Sequence, residues 1–188
     1  MSKKTIIVTA VVAILILVAA FFVYKSGLVT SEKYTKQYSA EMLTAEQKVY
    51  EVKFLEYQTM LEDAVKTYKN GGAIPNVDYF IEKARYAQYL GHNDWAIEIL
   101  NDVFNYYQNS SVVWNNLAKI YEEEKDYTKA NEYYQKVIDT FGESNNWGNY
   151  YYICSNLMYM DQKDKTKECY KKYQSLGGSD IQIENYVK

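Results

Sequence analysis

Few side chains in this sequence could do chemistry. His92 is the only histidine, and Cys154 and Cys169 are the only cysteines, too few soft or imidazole donors for an ordinary zinc or copper site. A histidine base needs a nucleophile beside it, and none neighbours the Gly91-His92-Asn93-Asp94 turn, so His92 reads as a solvated turn residue. No Gly-rich phosphate loop, His-Glu-x-x-His pair or nucleophile elbow occurs. The expectation is a protein that is not an enzyme, with no cofactor and no metal. Nucleic acid is also disfavoured: residues 25–188 hold 19 basic and 24 acidic side chains, a net charge of −5, and a mildly acidic domain binds phosphate backbones poorly. Arg85 is the only arginine, so the planar fork that reads guanine or phosphate is nearly absent. What stands out is tyrosine, at 22 of 188 residues.

The elements that must position these residues begin with an anchor. Thr5 to Tyr24 is an uncharged apolar run of 20 residues, which at 1.5 Å per residue spans the roughly 30 Å hydrocarbon layer. Residues 1–24 therefore read as an N-terminal transmembrane helix. A cleaved signal peptide with a cut after Val18-Ala19-Ala20 is the rival reading, disfavoured because the apolar run is longer than an ordinary h-region and continues past the cut. Lys3 and Lys4 on one side nearly balance Lys25, Lys33 and Lys36 on the other. The short basic tail places the bulk of the chain outside the cytoplasm, with a cytoplasmic location as the alternative.

Residues 25–76 read as an amphipathic helical stalk and linker. No Gly or Pro occurs from 31 to 69, and Tyr50, Phe54, Tyr57, Leu61, Ala64 and Tyr68 recur at helical spacing. An unbroken helix over that stretch would be about 58 Å long. Either the stripe makes a homodimer through the 31–69 helix, or it packs on the following domain; its rings are unusual for a dimer seam, which favours packing. Asn70 to Asn76, with Gly71, Gly72 and Pro75, ends the helix.

From Val77 the sequence repeats. At an offset of 34, Phe80 aligns with Trp114, Ala84 with Ala118, Ala96 with Ala130, Leu100 with Tyr134 and Val103 with Val137; at 36, a third copy follows with Tyr150, Ile153, Cys154, Leu157, Thr166, Tyr170 and Tyr173. A 34-residue period is that of a helix-turn-helix repeat. The run Trp114-Asn115-Asn116-Leu117-Ala118-Lys119-Ile120-Tyr121, followed by Asp126-Tyr127, Ala130 and Tyr134, resembles the tetratricopeptide repeat (TPR) family. Lys83 stands where that family has Leu, and Gly142 where it has a closing Pro. The fold expected is all-α: the transmembrane helix, the amphipathic segment, three TPR repeats at 77–110, 111–144 and 147–180 forming a right-handed α-solenoid, and a capping helix at 181–188 with Ser179 as its N-cap.

The resemblance implies a concave groove lined by the first helix of each repeat. Its residues here are Ile81, Glu82, Arg85, Gln88 and Tyr89; Asn115, Asn116, Lys119, Glu122 and Glu123; and Tyr151, Tyr152, Ser155, Met158 and Tyr159. Ile81, Gly148 and Tyr152 occupy three positions of the carboxylate clamp that some members carry, leaving only Asn116, so a clamp for a chaperone tail is not expected. The aromatic end could grip apolar side chains of a peptide or simply fill gaps beneath the cap. The function implied is a membrane-anchored adaptor for another protein or peptide segment, similar in arrangement to chaperone-like or assembly proteins of the cell envelope. The alternatives are a homo-oligomeric structural protein and glycan or cell-wall binding through exposed tyrosines. Glu122-Glu123-Glu124 and Lys163, Lys165 and Lys167 read as solvated surface. Cys154 and Cys169 are expected to stay unbonded, because in the repeat pattern Cys154 faces Thr166 and Cys169 lies a turn further on.

Overall fold

A computed structural model of the chain describes residues 44–144 and 146–188; the expected membrane span at 1–24 lies outside the described residues. Every regular element among the described residues is helical, and none of these helices is long and apolar enough to cross a membrane. Residues 44–188 form one compact unit.

Helix α1 covers Ala45–Lys69. Its start is set by a capping box, in which the Thr44 hydroxyl accepts from the Gln47 N–H at 3.1 Å and the Gln47 side chain accepts from the Thr44 N–H at 3.0 Å. These bonds satisfy two donors that a helix N-terminus leaves open. Thr44 itself has an extended ψ of 162°, so α1 begins at Ala45 and does not run back through Thr44. The striped face lies on α2 (Val77–Tyr89). Tyr57 stacks on Tyr86 at 5.8 Å between ring centroids, Tyr50 meets Tyr89 at 4.9 Å, and Phe54 is buried against Trp95 at 6.0 Å. Of the two readings of the stripe, packing on the domain is the one seen.

Three helix pairs follow: α2 with α3 (Asn93–Asp102), α4 (Ser111–Glu123) with α5 (Tyr127–Phe141), and α6 (Trp147–Tyr159) with α7 (Lys163–Ser175). The first helix of each pair has 13 residues, and their starts at 77, 111 and 147 reproduce the 34 and 36 offsets of the sequence pattern. Each first helix also ends in one way. The N–H groups of Gly91, Lys125 and Asp161 donate to the carbonyls of Gln88, Glu122 and Met158, and those of His92, Asp126 and Gln162 to Ala87, Tyr121 and Leu157. This Schellman geometry needs a left-handed residue, supplied at φ 85° by Gly91 and at 61° and 55° by Lys125 and Asp161. Gly91 takes that conformation freely; the two side chains at the equivalent positions cost about 1 kcal/mol each.

The core sits where the alignment puts it. Ala84, Ala118 and Cys154 are buried between the helices of each pair, as are Ala96, Ala130 and Thr166 on the facing helices, and these small residues let the backbones approach. Phe80, Leu100, Trp114, Tyr134 and Tyr170 fill the remaining volume. The chain closes with α8 (Ile181–Val187), which rests Ile183 and Val187 on Cys154, Tyr170 and Tyr173. Its cap is Asp180 and not Ser179: the Asp180 carboxylate accepts from the N–H groups of both Gln182 and Ile183 at 2.9 Å, as a side chain one residue earlier would not do.

Two further expectations are corrected. Cys154 and Cys169 form a disulfide, with their Cα atoms 5.5 Å apart. A residue on one packed helix inserts among side chains at i, i+3 and i+4 of the facing helix rather than opposing a single partner. Cys154 therefore reaches Cys169, and a one-turn offset does not exceed the roughly 7 Å bridging limit. His92 is in the expected turn but is not simply solvated, because its ring stacks on Trp95 at 3.8 Å with 11° between planes.

Candidate functional site

The expected groove residues lie on the first helices α2, α4 and α6, and their exposure divides them. Arg85, Lys119 and Glu123 are exposed, whereas Ile81 is buried in the core. Arg85 is tied to Glu82 three residues earlier, at 2.9 Å. Asn116 turns its amide back on the Val112 carbonyl at 2.8 Å. Asn115 is half-buried, and its amide oxygen is sequestered with no hydrogen-bond partner. A direct link joins the first two of these helices: the Gln88 amide donates to Glu123 at 3.1 Å.

The aromatic end is largely used by the fold. Tyr152 stacks on the buried Tyr134 at 5.0 Å, with its other neighbour Tyr151 edge-on at 5.3 Å. Tyr151 and Met158 pack against the cluster beneath α8, so they support the cap. Tyr89 belongs with Tyr50 and Tyr86 at the α1–α2 contact, though it stays 51% exposed. Tyr159 is the most open of the set at 62%, stacked at 5.5 Å on Tyr127. Ser155 is half-buried.

A polar network that the sequence did not announce runs between these helices. Tyr134 donates to the Glu122 carboxylate at 3.1 Å, and Asn156, only 2% exposed, donates to the Asn131 amide oxygen at 2.9 Å. Burial raises the Glu122 pKa above the usual carboxylate range, while hydrogen bonds from Asn156 and Tyr134 and the Lys119 charge pull it back. Burial, then Glu122, pushes the Tyr134 hydroxyl up. The network binds α4, α5 and α6 together and leaves Glu122 half-buried on the candidate face. Each partner is an ordinary surface residue type, and only the fold juxtaposes them.

Among the described residues no three His, Cys, Asp or Glu side chains are arranged to hold a metal ion. In the described part of the stripe, Tyr50, Phe54 and Tyr57 contact α2 and α3. No family model matches this chain, and no curated protein matches it.

Proposed function

We propose that residues 44–188 are a TPR-type domain that docks another protein along the face formed by α2, α4 and α6, and that the apolar run at 5–24 tethers it to a membrane. The observation that carries this reading is the repeated turn: three helix pairs with the same left-handed residue and the same two hydrogen bonds, at offsets of 34 and 36. Small buried residues at equivalent positions of successive pairs support it further. The face itself offers exposed Arg85, Lys119, Glu123 and Tyr159 beside half-buried Asn115, Asn116, Glu122 and Tyr152, a mixed polar and aromatic surface of the kind that protein interfaces use. Tethering concentrates the domain near any partner at the same membrane, so that weak docking suffices. The Cys154–Cys169 bond supports an oxidising compartment, in keeping with a domain outside the cytoplasm. Nothing in the reading calls for catalysis.

Photo-crosslinking in intact cells tests it. A photoreactive residue at Tyr159 is expected to yield a discrete adduct with another protein, and one at Lys129, on the second helix of its pair, is expected not to. Self-adducts alone, or equal adducts from both positions, would transfer the case to self-assembly or to non-specific contact.

A further inference from the structure

Helix α7 breaks several local rules at once. Lys163, Lys167 and Lys171 follow one another at i, i+4 and i+8, where like charges repel. Lys163 is also the first residue of the helix, the end at which the macrodipole disfavours a cation. All three are exposed. Asp164 and Glu168 lie three residues before Lys167 and Lys171, yet the ion pairs of the described residues leave all three lysines uncompensated. Such a row is unexpected in a domain of net negative charge. Uncompensated local conflicts of this kind mark functional positions more often than random ones.

The row borders a built recess. A cleft of about 260 Å³ between α7 and α8 is lined by Lys167, Lys171 and Gln174 on one wall, by Glu184 and Lys188 on the other, and by Tyr170 and Val187. Lys188 is held by Glu184 at 2.9 Å, so Lys167 and Lys171 are the cations open to a ligand. Successive lysines at i and i+4 stand about 6 Å apart along the helix axis. Alternate residues of an extended chain are about 6.7 Å apart and share a face. The Gln174 amide, unbonded among the described residues, can donate to a peptide carbonyl and also accept from a peptide N–H, and a phosphate polymer offers only the acceptor. A cleft also receives one chain where a flat bilayer would rest on its rims.

We propose that this strip docks an extended acidic peptide segment of a partner, one that carries carboxylates at alternate residues, and that it does so independently of the α2–α4–α6 face. The test uses the full-length chain in neutral detergent with a fluorescent Glu-Ala-Glu-Ala-Glu peptide, read by anisotropy. Saturable binding is expected, weakening with salt and falling about tenfold or more, equivalent to about 1.4 kcal/mol, in Lys167→Glu/Lys171→Glu. Lys165→Glu/Lys129→Glu, which changes the net charge equally away from the strip, is expected to retain binding; helical circular dichroism and an intact disulfide establish that both variants are folded. The proposal is overturned if the peptide does not bind, if the control pair loses as much, if Glu-Glu-Glu-Ala-Ala binds as well, or if polyphosphate or phosphatidylglycerol vesicles bind the strip more tightly than the peptide.

Discussion

Lys83 shows how far a single side chain can depart from its position's ordinary chemistry. It occupies the site equivalent to Leu117 and Ile153 and is 5% exposed, with its ammonium 5.3 Å from the centre of the Phe54 ring. Burial lowers its pKa from 10.5 to about 8, with Glu62 and Asp102 acting the other way, a shift equivalent to about 3 kcal/mol. Because the folded value lies below the unfolded one, the unfolded chain binds more protons between about pH 8 and 10.5, and stability rises with pH across that window. Below it the penalty is constant. Lys83→Leu is expected to stabilise the domain by about 1 to 3 kcal/mol at neutral pH and to remove the rise between pH 8 and 10; thermal melts of both proteins would show it, and an unchanged pH slope would refute it. The repeat pattern marked this position as a core site, and the structure agrees. Sequence could not show that a lysine would fill the site rather than turn out of it, since a long apolar stem permits both.

At the scale of elements, α6 and α7 are joined covalently and by packing. The disulfide closes a loop with a sequence separation of 15, for which chain-entropy arguments give about 3 kcal/mol. Cys154→Ser with Cys169→Ser is expected to lower unfolding free energy by about 2 to 4 kcal/mol in denaturant titrations; a loss below about 1 kcal/mol would mean that packing alone holds the pair. Helix starts, pair order and the three turns were legible from the 34 and 36 spacing, because period and small-residue positions fix which faces meet. The disulfide was not, since it depends on how far two helices interpenetrate. The helix start at Thr44 was also missed, although Thr44 and Gln47 carry the capping-box signature. Of the candidate face, the outward positions Arg85, Lys119 and Tyr159 were legible, whereas the use of Met158 and Tyr151 under the cap follows from α8, whose docking no local pattern encodes.

Across the whole molecule, each element leans mainly on its sequence neighbours, and α1 is part of that series. Phe54 is buried by Trp95 and Lys83, so Phe54→Ala is expected to cost about 3 kcal/mol in a chemical melt followed by circular dichroism. A change under about 1 kcal/mol would make α1 an appendage rather than a structural end. The disulfide has a mechanical side as well. It crosslinks the two helices of one pair and leaves the contacts between pairs non-covalent. If the chain is pulled from its ends, the segment between Cys154 and Cys169 is bypassed, which withholds about 50 Å of extension at roughly 3.5 Å per residue. Load then passes from the α6 side directly into α7 through a bond that force alone does not peel open, and the C-terminal pair keeps a fixed tether length while the helices before it can yield.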